Sequence, residues 1–130
     1  MPAISPDGNS IAFVRAGASG QGRIWVAPLA EPSRARQVSG DEHGLWDHAD
    51  PAWSPDGRSL CFSDWRNLWI VEAGGGTPRA LTRDDASDRE AVFSPSDGRI
   101  YFSSLRDDIR AIWSVEGPGD DPRRETPPTS

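Results

Sequence analysis

Asp50-Pro51-Ala52-Trp53-Ser54-Pro55-Asp56-Gly57 decides how this chain is read, because the same phrase stands on either side of it. Upstream it is Ile4-Ser5-Pro6-Asp7-Gly8, and downstream Phe93-Ser94-Pro95-Ser96-Asp97-Gly98. The serines lie 49 and 40 residues apart, a period that marks a structural repeat. After each phrase comes a short apolar run: Ile11-Ala12-Phe13-Val14, Leu60-Cys61-Phe62 and Ile100-Tyr101-Phe102. A second run follows as Ile24-Trp25-Val26, Leu68-Trp69-Ile70-Val71 and Ile112-Trp113-Ser114-Val115. Every copy closes on an arginine-bearing segment with a terminal hydroxyl: Arg36-Gln37-Val38-Ser39, Arg79-Ala80-Leu81-Thr82 and Arg123-Arg124-Glu125-Thr126.

The runs are short, rich in β-branched and aromatic residues, and bounded by Gly, Pro, Asp and Asn, which reads as strands. Their nearly continuous apolar character implies sheets covered on both faces. Short strands in units of about 40–45 residues, each sheet sandwiched between neighbours, are the pattern of propeller blades. Proline cannot donate to a strand ladder, so Ser-Pro ends one strand and Asp-Gly makes the tight turn to the next. In the third copy the glycine arrives one position later, yet Pro95 to Ile100 spans as far as Pro55 to Leu60, so the turn changes type and the register survives. The interval from second to third strand varies more, which places insertions in loops at one end of the blades, where binding loops sit.

Composition narrows the function classes. The 130 residues carry 14 basic and 20 acidic side chains, a net charge of −6 with no basic stripe, so nucleic acid is not an expected partner. No apolar run approaches the ~20 residues of a membrane span. A single cysteine, Cys61, rules out an internal disulfide framework and a thiolate zinc cluster, and its place inside a strand predicts a buried, inert thiol. No Gly-x-Ser-x-Gly nucleophile elbow is present, and Gly17-Ala18-Ser19-Gly20 reads as a flexible hairpin loop. No catalytic residue, metal ligand or cofactor is assigned.

On these residues the chain resembles the TolB-like β-propeller repeat family, with its Pro-apolar-Trp-Ser-Pro-Asp-Gly phrase, aromatic second strand, Ile-Trp-Val third strand and closing Leu-Thr. The copy from Asp50 to Thr82 matches throughout. The third has Ala91-Val92-Phe93 for Pro-Ala-Trp, and Glu125 where the other copies place Val38 and Leu81, which puts its outer strand in doubt. The expected fold is all-β: three four-stranded antiparallel blades at about 2–39, 48–82 and 89–126 within a segment 1–126, and a frayed tail at 127–130. Propellers close with ~4–8 blades, so three are incomplete, or closed by self-association. The expected partners are therefore a protein, further propeller blades, or a second copy forming a homodimer that completes a six-bladed ring.

The resemblance implies two functions: a non-enzymatic module for protein–protein interaction, or a detached substrate-gating propeller of a prolyl oligopeptidase-like serine peptidase. Met1 to Gly8 carry neither a basic patch nor an apolar stretch, so a cytoplasmic chain is expected if it is complete, and a periplasmic one if it is a piece of a secreted TolB-like protein. Asp41, Glu42, His43, Asp47, His48 and Asp50 are the densest metal-capable group, but their spacing fits no ligand motif and reads as a solvated connection. Trp25, Trp53, Trp69 and Trp113 fall at repeating positions and are expected between blades. Trp46 and Trp65 lie outside them, in loops, where exposed tryptophan marks interfaces. With His48, Asp50 and the acidic connection at Asp84 and Asp85, they make up the expected binding residues.

Overall fold

The computed structural model describes residues 2–44 and 46–126, and the tail at 127–130 lies outside them. Each copy of the serine phrase is a self-sufficient turn. Ser5 Oγ donates to Asp7 Oδ1 at 2.6 Å and accepts the Ser10 amide at 3.0 Å, and Asp7 Oδ1 also takes the Asn9 amide at 2.9 Å. Ser54, Asp56, Arg58 and Ser59 repeat the arrangement. The serine hydroxyl, then the backbone amide, holds the Asp7 and Asp56 carboxyls below their ordinary range. Gly8, Gly57 and Gly98 sit at φ 75°, 72° and 73°, the left-handed region that glycine enters without cost. In the third copy Gly98 bonds one residue further back, yet the Ser94 amide still reaches the carbonyl five residues on, as Ser5 and Ser54 do. The register survives the extra residue.

These turns begin three four-stranded antiparallel sheets of consecutive strands. Blade 1 comprises β1 (Ala3–Ile4), β2 (Ser10–Ala16), β3 (Gly22–Pro28) and β4 (Arg36–Gln37). Blade 2 comprises β5 (Ala49–Trp53), β6 (Ser59–Ser63), β7 (Leu68–Glu72) and β8 (Arg79–Ala80). Blade 3 comprises β9 (Arg89–Phe93), β10 (Ile100–Arg106), β11 (Ile109–Val115) and β12 (Arg123–Arg124).

The outer strand of blade 3 forms despite Glu125, because the terminal hydroxyl closes every blade in one way. Ser39 Oγ accepts the Ile24 amide at 2.8 Å, Thr82 Oγ1 that of Leu68 at 2.8 Å, and Thr126 Oγ1 that of Ile112 at 3.0 Å. In return Ile24, Leu68 and Ile112 offer their carbonyls to the closing pair of residues. This clasp needs a hydroxyl and two amides; it does not need an apolar side chain at position 125.

The variable interval between second and third strands has a different cause from the one expected. In blade 3 the spare residues lengthen β10 and β11 to seven each, joined by Asp107-Asp108 alone, both at positive φ (53° and 60°). In blade 1 β2 and β3 are also seven long, against five in blade 2. Extra residues that can keep pairing extend the ladder, since a paired backbone group is worth more than a solvated loop.

The sheets stack through two apolar seams. Ala12, Ile24, Val26 and Val38 of blade 1 meet Leu60, Phe62 and Val71 of blade 2, with Trp53 and Trp69 packed against them. Cys61, Leu68 and Leu81 of blade 2 meet Ala91, Ile100, Phe102 and Val115 of blade 3, with Trp113 and Phe93 alongside. Cys61 is fully buried, and burial raises its thiol pKa, which suppresses the reactive thiolate. Thr82→Val keeps the shape of the clasp but leaves the buried Leu68 amide without a partner. It is expected to cost about 1–3 kcal/mol, read as a lowered urea midpoint at unchanged slope.

Candidate functional site

Up-and-down order puts the loops between second and third strands at the same end of the blades as the connections from one blade to the next. That end carries every residue expected to bind. Its architecture rests on arginines that the sequence reading did not single out.

Arg23, fully buried on β3, organises the first connection. Its Nε and Nη2 donate to Asp41 Oδ1 at 2.9 and 2.5 Å, and Nη1 donates to the Gly22 and Trp46 carbonyls at 2.9 and 2.7 Å. The metal-capable group is thereby pulled apart. Asp41 faces Arg23 and Ser19, and Asp47 takes the Gly22 amide at 2.8 Å. The His43 ring stacks on Trp69 at 4.2 Å and its Nε2 donates to the Pro78 carbonyl.

His48 is 7% exposed and lies beneath the rim, its ring 4.7 Å from that of Phe62. Its Nδ1 is hydrogen-bonded at 2.8 Å to Ser39 Oγ, which also accepts the Ile24 amide. Burial, and then the Arg23 charge, lowers its pKa from 6.5 to about 4. His48 therefore joins blade 1 to blade 2 as a neutral side chain.

Trp46 and Trp65 stay half exposed, at 47% and 49%. Each has a guanidinium over its ring: Arg66 at 4.1 Å from Trp46, and Arg89 at 3.5 Å from Trp65. Acids hold the arginines in turn. Arg89 Nε donates to Asp50 Oδ2 at 2.6 Å, and Arg66 lies 3.6 Å from Asp85, which also accepts from Asn67 Nδ2 at 2.6 Å. The structure thus brings together Trp65 with Asp50, and Trp46 with Asp85. Asp84 stands apart, bonded to Arg106, which in turn covers Trp113.

Asp50, Trp65 and Asp85 have φ of 56°, 76° and 53°. Non-glycine residues there cost of order 1–3 kcal/mol and persist only where surroundings over-determine them. For Trp65 the determinant is local, since its amide donates to Ser63 Oγ at 2.9 Å. For Asp50 it is a bulge that adds one residue to β5 opposite β6, repeated at Glu90 (φ 58°) on β9. Asp88, fully buried, follows His48 in the repeat, and desolvation raises its pKa. Both its carboxylate oxygens lack a hydrogen bond, with Arg106 Nη2 the neighbouring cation at 4.0 Å.

Because the folded pKa of His48 lies below the unfolded one, the unfolded chain takes up the proton first as pH falls. The stability tied to neutral His48 is whole above pH 6.5 and is lost as pH falls to about 4, on the order of 3 kcal/mol in all. Urea unfolding across that window is expected to show the slope, and His48→Gln to flatten it.

With the geometry in place, comparisons identify its relatives. The chain is 27% identical over 127 residues to the uncharacterized protein Atu1656 of Agrobacterium fabrum, covering 95% of this chain and 42% of that protein. It is 28% identical over 112 residues to the uncharacterized peptidase YuxL of Bacillus subtilis, covering 78% of this chain and 16% of that protein. The solved TolB from Acinetobacter baumannii superimposes with a TM-score of 0.77 at 21% identity, covering 99% of this chain and 32% of that one. The chain therefore spans less than half the length of each of these relatives, and its three sheets match part of a propeller. The family model described as the TolB beta propeller domain matches residues 1–128, and the chain belongs to that family.

Proposed function

We propose that this propeller segment is a non-enzymatic module that binds a protein partner through the end of the blades bearing Trp46 and Trp65. One observation carries the reading: two half-exposed tryptophans stand on neighbouring loops of one rim, each backed by an arginine that an acid holds in place. Rigid, amphipathic aromatics of this kind supply contact area at little entropic cost. The left-handed backbone at Asp50, Trp65 and Asp85 supports the same reading, because strain collects where a fold has to present a side chain. The exposed acids Glu42, Asp47, Asp107 and Asp108 at that end, which pair with no arginine among the described residues, favour a basic segment on the partner.

The second reading is the substrate-gating propeller of a prolyl oligopeptidase-like serine peptidase, favoured by the match to a protein named as a peptidase. The coding sequence beyond Ser130 separates the two: a Gly-x-Ser-x-Gly elbow there supports the peptidase, and further blades support the binding module.

Peptides selected by phage display on the folded chain test the rim. Trp65→Gly suits the measurement, since φ 76° is glycine's own region and the fold is retained. Basic peptides are expected to bind, and to lose about ten-fold or more in affinity on Trp46→Ala or Trp65→Gly. Peptides that bind both variants as well as the parent overturn the proposal.

A further inference from the structure

At the rim end of the seam between blades 2 and 3, one guanidinium serves two carboxylates. Arg106 Nη1 pairs with Asp84, its Nε donates to Ser104 Oγ at 3.0 Å, and its Cζ lies 4.3 Å from the Trp113 ring. Its Nη2 is buried without a hydrogen-bond partner among the described residues, 4.0 Å from Asp88 Oδ1. Asp88 is fully buried, and neither of its carboxylate oxygens has a partner there either. The backbone of Asp88 is fixed, since its amide donates to the Arg66 carbonyl and its carbonyl accepts Ser63 Oγ. The hydroxyls of Ser104 and Thr82 stand near the carboxyl, short of hydrogen-bond geometry; desolvation outweighs them and raises its pKa. A buried donor and a buried acceptor thus each forgo a bond that a small swing of Arg106 would make.

The groove above explains why Arg106 stays on Asp84. It is a hollow of about 570 Å³ whose lining includes Asp84, Asp85, Arg106, Asp107, Trp113 and Arg124. Asp85 faces Arg66 at 3.6 Å, and among the described residues Asp107 pairs with no arginine. With Asp88 beneath, the four carboxylates of Asp84, Asp85, Asp88 and Asp107 meet the three guanidinium groups of Arg66, Arg106 and Arg124. The groove is one cation short. An Arg106 that moved to Asp88 would leave Asp84 unpaired beside other acids, which like-charge repulsion opposes.

The seam between blades 1 and 2 fills the same place from within. Its connection has eight residues between Ser39 and His48, one of which is His43, stacked on Trp69 at 4.2 Å. Only five residues separate Thr82 from Asp88, and none of them carries a ring. The groove over Trp113 is therefore open because its own connection is short.

We propose that this groove receives a lysine or arginine side chain of the partner, whose cation pairs with Asp84 while Arg106 passes to Asp88. The inference rests on the reading of this end as the docking surface for a basic segment, and adds a second site to the two tryptophans. Asp84 and Asp88 then each have a cation, the two orphaned groups bond, and the methylenes of the incoming side chain lie along Trp113 and Ala111.

Carbon-13 NMR of the Asp88 carboxyl in the full chain, with a tri-arginine peptide as probe, tests it. Bound peptide is expected to lower the proton affinity of Asp88 by about ten-fold or more, because the arriving Arg106 favours the ionised form. In Arg106→Gln the peptide is expected to leave that titration nearly in place. Asp84→Asn and Asp88→Asn are each expected to weaken peptide binding by about ten-fold or more, the first by removing the acid that holds the peptide and the second by removing the acid that receives Arg106. Near-ultraviolet circular dichroism of the tryptophans checks the fold of each variant, and the titration in the parent chain needs no variant at all. An Asp88 titration that the peptide leaves unmoved overturns the proposal, as does one that moves equally in Arg106→Gln, or an affinity that Asp88→Asn leaves unchanged. A parent chain that ignores tri-arginine overturns this site alone, since the rim reading is judged by selected peptides that depend on Trp46 and Trp65.

Discussion

A single four-stranded sheet with strands of two to seven residues cannot enclose a core by itself, and that constraint governs the whole molecule. Each blade has two apolar faces and only its neighbours to cover them. Ile24, Val26 and Val38 leave water because Leu60, Phe62 and Trp69 stand opposite, and Leu68 and Leu81 do so because Phe102 and Trp113 do. At about 25 cal/mol per Å² of apolar surface, the seams are the main source of stability, while the ladders within a blade chiefly decide which side chain faces which neighbour.

The polar features serve that stacking. The serine turn and the closing hydroxyl satisfy backbone groups at the two ends of each blade, so that the sheets can lie face to face without orphaned amides. His43 and His48 work across the seam, tying the connection after blade 1 to blade 2, while Arg23 anchors that connection to blade 1. The arginines at the rim have a further consequence. A guanidinium that lies over a tryptophan and pairs with an acid fixes the aromatic without hiding it, which is how the rim keeps rigid apolar surface in contact with solvent.

Much of this was legible in the chain. The repeat located all three sheets; Trp53, Trp69 and Trp113 pack in the seams between blades, whereas Trp25 lies on the outward face of blade 1 under Arg15; and the residues expected to bind fall at one end because up-and-down order leaves no other arrangement. Within that end, His48 and Trp65 show why residue type alone was insufficient. Both are loop residues beside acids in the sequence, yet one is sealed against Phe62 and the other stands half in water. Arg23, Arg66, Arg89 and Arg106 were passed over because arginine in a strand or loop reads as solvated surface. Each becomes structural only through a partner 18 to 39 residues away in the chain, or through the tryptophan it covers.

The sequence by itself determined the number of blades, the order of strands and the turn at every serine phrase, since these depend on local spacing and on what proline, glycine and a hydroxyl can do. Tertiary structure alone decided that spare residues in blade 3 would lengthen strands, that the metal-capable side chains would scatter to separate partners, and that Glu125 would face outward without breaking its strand. Those outcomes turn on contacts between residues far apart in the chain, where burial and pairing compete and the local sequence carries no record of which prevails.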